Sequence, residues 1–98
     1  MIVIRVEVKV KPEETAGFVN HMTQEMSEVK EQFGGCERFN LYEAVADENT
    51  FLLYEEWESQ TSFDAYKNSD YFKRNGEKLF AMMAEQPDSA YFEAAVLQ

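Results

Sequence analysis

The segment Leu53-Tyr54-Glu55-Glu56-Trp57 sets two carboxylates directly before the only tryptophan of the chain. Alternation along an extended strand sends Phe51, Leu53, Glu55 and Trp57 to one side and Glu56 to the other. A carboxylate among apolar neighbours needs a partner or carries a raised pKa. Two readings follow for Glu55: a structural ion pair with Arg5 or Arg38 on neighbouring strands, or a general base that takes a proton from a phenol. Trp57 either closes the core where strand meets helix or walls a pocket for a planar ring. Arg5 lies on the polar side of the first alternating segment. It suits a substrate anion or oxyanion, and equally a partner for Glu55 or Glu7. Tyr66 and Tyr71 are either core residues with the hydroxyl at the edge or hydrogen-bonding groups for a ligand oxygen. With an unperturbed pKa of roughly 10, tyrosine suits binding or polarisation better than proton abstraction at neutral pH.

The remaining reactive side chains point to less. His21 is the only histidine and Cys36 the only cysteine. They give neither a Cys-His nucleophilic pair nor zinc-ligand spacing. The side chains of Glu13-Glu14 and Glu55-Glu56 diverge, so no metal site is expected. Met22, Met26, Met82 and Met83 read as adaptable core filler.

The elements that must carry these groups follow from periodicity. Residues 2–10 alternate strictly, with Ile2, Ile4, Val6, Val8 and Val10 on one face and Val3, Arg5, Glu7 and Lys9 on the other. That is a strand. Pro12 fits a first helical turn. Phe18, Met22, Met26, Val29 and Phe33 then form one stripe of a helix over about 13–33. Gly34-Gly35 stops it. Residues 36–45 alternate again, with Phe39, Leu41 and Val45 together. A polar connector, 46–49, leads into a third strand over 50–57, which suggests a hairpin. Ser59 can cap a short helix over about 60–67. Asn68-Ser69-Asp70 can cap a second over about 70–85, where Phe72, Gly76, Leu79 and Met83 share one side. A final strand is expected over 89–97. The order βαββαβ predicts an α+β, ferredoxin-like antiparallel sheet with its helices on one face.

At 98 residues the chain is read as one domain, 1–98. The formal net charge of −10 argues against nucleic acid and anionic membranes as partners. A lone thiol, a charged alternating N-terminus and the absence of a long apolar run point to a cytoplasmic protein. The strands carry apolar groups on both sides, Val3 as well as Ile2 and Ile4. The uncovered sheet face therefore calls for a second copy of the chain, a homodimer.

Lys11-Pro12-Glu13-Glu14, the run 33–44 (FGGCERFNLYEA), and LYEEWES followed by SFDAYKNSDYF resemble the antibiotic biosynthesis monooxygenase family. The most specific part is Glu55-x-Trp57, then Phe63, then Ser69-x-x-Phe72. The resemblance covers nearly the whole chain. It implies a dimeric α+β barrel with a pocket between sheet and helices, and oxygenase chemistry on phenols, quinols or polyketide-like aromatics without a cofactor. Relatives of the same fold degrade haem or rearrange small phosphorylated sugars. Many members carry His where this chain has Tyr66 and Tyr71. Haem-degrading relatives hold iron with a His where this chain has Gly76, and use Asn in place of Arg5. Haem degradation is therefore not expected. On this reading Glu55 is the base, Arg5 and Tyr66 stabilise an oxyanion, and Trp57, Phe72 and Tyr71 bind a small aromatic molecule. The alternatives are an isomerase of a small carbonyl compound and a non-catalytic dimer that binds a small molecule.

Overall fold

The computed structural model describes Met1 to Gln98. Strand β1 spans Ile2–Lys9, and a 3-10 turn, Pro12–Glu14, leads into helix α1, Thr15–Gln32. Strands β2, Cys36–Glu43, and β3, Thr50–Trp57, precede helices α2, Gln60–Lys67, and α3, Asp70–Met82. Strand β4, Asp88–Glu93, closes the chain. The four strands form one antiparallel sheet in the order β2-β3-β1-β4, the ferredoxin-like arrangement expected from the sequence.

Register decides which groups meet. Ile4 pairs with Glu55, Val6 with Leu53 and Val8 with Phe51. On the other side of β3, Phe39 pairs with Glu55 and Leu41 with Leu53. These residues share the inner face beneath the helices. Ile4, Val8, Phe39, Phe51, Leu53 and Trp57 are all buried there. Helix α1 seals them with Phe18, Met22 and Val29, and Phe18 packs on Phe51 at 5.1 Å between ring centres. Burying each such side chain stabilises the fold by about 1.5–3 kcal/mol.

The helix starts use the residues expected. Ser59 Oγ accepts from the Ser62 amide at 3.2 Å, and Ser69 Oγ accepts from the Phe72 amide at 3.1 Å. Gly35 adopts φ 89°, open to glycine at little cost. A side chain there would also run into Ser62, whose Cβ would lie 2.5 Å from the new Cβ.

Several boundaries differ from the sequence reading. Strand β2 ends at Glu43, and Val45 is fully exposed. The turn claims those residues, because Asn49 takes a left-handed φ of 64° and the Thr50 amide donates to Asp47 O at 3.2 Å. Helix α3 stops at Met82, where the chain pairs with the end of β1. Val10 bridges Met83, and the Ala84 amide donates to Lys9 O at 2.7 Å. Strand β4 is shorter than expected, and Val96 and Leu97 stay exposed.

Candidate active site

The inner sheet face and the helices enclose a cavity of about 200 Å³. Its floor is Ile4, Val6, Phe39, Leu53 and Glu55, and Phe63, Tyr66, Gly76 and Leu79 cover it. Phe72, Phe80 and Tyr91 are the exposed aromatic members of the lining and form its rim. Hydrophobic residues make up 11 of the 16 that line it, so a charge inside finds little hydration.

Two carboxylates face this space, and each is only 5% exposed: Glu55 and Glu25. Glu55 Oε1 accepts from the Trp57 indole N–H at 2.9 Å. Burial pushes the Glu55 carboxyl up to about 7, against the opposing indole hydrogen bond, and the charge of Glu25 adds to the rise. Burial also raises Glu25, opposed by its bonds to Tyr66 and His21. The Tyr66 hydroxyl donates to Glu25 Oε2 at 2.9 Å. Burial, with the charges of Glu25 and Glu55, holds that phenol far above its ordinary range. At neutral pH the cavity thus holds a carboxyl poised near its midpoint beside a hydroxyl that keeps its proton. No group of three or more His, Cys, Asp or Glu side chains gathers in metal-binding geometry.

Of the residues singled out from the sequence, Glu55, Tyr66 and Phe72 line one cavity. Trp57 does not reach it. It is fully buried behind the lining, stacked on Tyr66 with ring centres 5.2 Å apart and an 18° tilt. Its contribution is to orient Glu55 and Tyr66 from behind. Tyr71 points away, and its hydroxyl donates to Glu28 Oε1 at 2.8 Å in a separate polar cleft. Arg5 pairs with Tyr54 in the register and so faces the opposite side of the sheet, exposed, with its guanidinium 5.6 Å from the centre of the Phe92 ring. It can neither hold an oxyanion in the cavity nor pair with Glu55. Arg38 pairs instead with Glu56 on that outer face, at 3.5 Å. The ion-pair reading of Glu55 is therefore replaced by the indole bond.

Glu25 was missed, although the sequence carries a signal for it. The buried positions of α1 are 18, 22, 25 and 29. This spacing of 4, 3 and 4 puts one carboxylate in an apolar stripe. His21, one turn earlier, sets Nε2 3.2 Å from Glu25 Oε1.

The family model for antibiotic biosynthesis monooxygenases matches residues 1–78. The fold is similar to that of a proposed antibiotic biosynthesis monooxygenase from Caulobacter crescentus, with a TM-score of 0.91 and 25% identity over 97% of this chain and 90% of that one. It is also similar to a Deinococcus radiodurans structure, with a TM-score of 0.91 at 14% identity over 100% of this chain and 96% of that one, a likeness of fold alone. YcnE of Bacillus subtilis, a proposed monooxygenase, is 27% identical over 73 residues, 74% of this chain and 76% of YcnE. The uncharacterised protein sll1783 of Synechocystis is 27% identical over 97 residues, 99% of this chain, which spans 65% of that protein's length. With most of its length matched by the family model, and with the fold and cavity described above, the chain belongs to the antibiotic biosynthesis monooxygenase family.

Proposed function

We propose that the protein is a monooxygenase of small phenols or quinols that uses no cofactor and acts in the cytoplasm as a homodimer. One observation carries the reading: Glu55, a carboxyl held at about pKa 7, faces an apolar cavity beside the Tyr66 hydroxyl. A base in such a place takes a phenolic proton at neutral pH and leaves the anion with little water around it. The size suits a small guest, because an apolar protein cavity of about 150 Å³ accepts benzene. One ring, or two fused rings, fits here better than a large polycycle.

The electrons come from the substrate. A phenolate gives electrons to O2, a ring carbon bonds to one oxygen atom, and loss of its hydrogen with the second oxygen as water leaves a quinone. Phenol plus O2 becomes quinone plus H2O, with no outside reductant. Tyr66 stays protonated and directs its proton to Glu25 Oε2, so toward the substrate its hydroxyl oxygen can act as a hydrogen-bond acceptor. Phe72 at the rim flanks the ring.

Oxygen uptake with a panel of one- and two-ring phenols and quinols tests this. Labelled O2 should leave one atom in the quinone and one in water. Glu55→Gln should lower kcat by roughly 100-fold or more while KM moves little. Unchanged uptake in that variant removes Glu55 from the mechanism. A second reading, proton transfer within a small carbonyl compound, is favoured by the presence of two carboxyls on one cavity. It requires conversion without oxygen uptake.

A further inference from the structure

Glu25 belongs to two walls at once. It lines the cavity with Glu55 and Tyr66, and it also lines a polar cleft between α1 and α3. No other residue is shared by the two spaces. Hydrogen bonds run through that wall. The Tyr66 hydroxyl donates to Glu25 Oε2 at 2.9 Å, and Glu25 Oε1 faces His21 Nε2 at 3.2 Å. The His21 side chain is 18% exposed, so the chain of bonds ends at solvent. An apolar residue at position 25 would continue the stripe of Phe18, Met22 and Val29. The carboxylate there interrupts it and touches both sides.

We infer that His21, Glu25 and Tyr66 form a proton relay between the inner end of the cavity and bulk water, a role that rests on the cavity being the site proposed above. The two inner hops, Tyr66 to Glu25 and Glu25 to His21, follow existing hydrogen bonds. When Glu55 already holds a proton and cannot act as the base, a phenol O–H breaks and its proton joins the Tyr66 oxygen as the Tyr66 proton moves to Glu25 Oε2. In the neutral form of Glu25, which burial favours, a proton on Oε1 passes to His21 Nε2, and the imidazole releases its Nδ1 proton to water. No electron moves, and the phenolate stays behind. Run backwards, the relay returns a proton to a reduced oxygen intermediate. Because the hops are concerted, Tyr66 is never left ionised, which burial and the neighbouring carboxyls oppose. The other charged or titratable groups facing Glu25 are Glu55 from β3, Glu28 from α1, and Tyr71, Arg74 and Lys78 from α3.

4-Nitrophenol tests the relay, since its ionisation changes its visible absorbance and needs no turnover. It is bound at acidic pH and mixed rapidly into alkaline buffer, and its release rate is measured separately by displacement with phenol. In the wild type it should ionise faster than it is released. His21→Gln keeps a hydrogen-bonding group beside Glu25 but passes no proton, so ionisation should slow by roughly tenfold or more, and added imidazole should restore it. Glu25→Gln should show the same loss without rescue. Unchanged rates in both variants overturn the relay and leave the cavity assignment standing. Failure of the wild type to bind 4-nitrophenol or any quinol of the panel overturns both.

Discussion

Holding Glu55 among apolar side chains costs stability whenever it is ionised. Its pKa rises from an ordinary 4.5 in the unfolded chain to about 7 in the fold, first through burial. The folded state therefore binds this proton more tightly than the unfolded state. That stabilisation is complete below 4.5 and is lost as pH rises through 7. The span corresponds to a change on the order of 3 kcal/mol. Denaturant midpoints should fall between mildly acidic and mildly alkaline pH, and Glu55→Gln should flatten the curve. A wild-type profile without slope in that window would contradict the burial of the charge. Turnover should move the opposite way, rising with pH as the base ionises. At this scale the sequence was partly legible. Period two placed Glu55 on the face of Leu53 and Trp57, and the structure agrees. Glu25 was hidden because Met26 offered a second apolar stripe one residue away. Arg5 was misjudged because only the pairing of Ile4 with Glu55, and of Arg5 with Tyr54, shows which sides of two strands coincide.

Elements were easier to read than their ends. Strict alternation in β1 and β3 and the Ser59 and Ser69 caps rest on local geometry, and each appears where local geometry puts it; the α1 stripe does so at Phe18, Met22 and Val29, with Glu25 buried in place of Met26. The ends are set by partners distant in sequence. Helix α3 gives way at Met83 because β1 offers its backbone there, and β2 gives way at Glu43 because the Asn49 turn claims the following residues. Gly35 joins both kinds of control. It ends the α1 connection at φ 89°, its carbonyl accepts from the Glu58 amide at 2.8 Å, and its bare Cα lets Ser62 approach. Gly35→Ala should cost about 2–4 kcal/mol, combining the conformational penalty with overpacking against α2. Chemical denaturation measures it, and a loss below the conformational penalty alone would show that α2 yields freely.

At the scale of the molecule, the outer sheet face is the surface on which the proposed pairing would rest. It carries Val3, Leu52 and Tyr54 half-buried, with Tyr42 and Phe92 50% and 46% exposed, between the charges of Arg5, Glu7 and Glu56. A net charge of −10 opposes random association, so the proposed pairing would need specific contacts on this face. Leu52→Lys should turn a sedimenting dimer into a monomer with its helices intact. A wild-type monomer at micromolar concentration would refute the proposed pairing. The chain's single tryptophan has a further use. Trp57 lies flat against Tyr66 and donates to Glu55, one layer behind the cavity and shielded from solvent. Its fluorescence is therefore a built-in optical gauge of the cavity. The emission should change in one step as Glu55 titrates, and again when a ring enters, so that proton and guest can be followed in the unlabelled native chain.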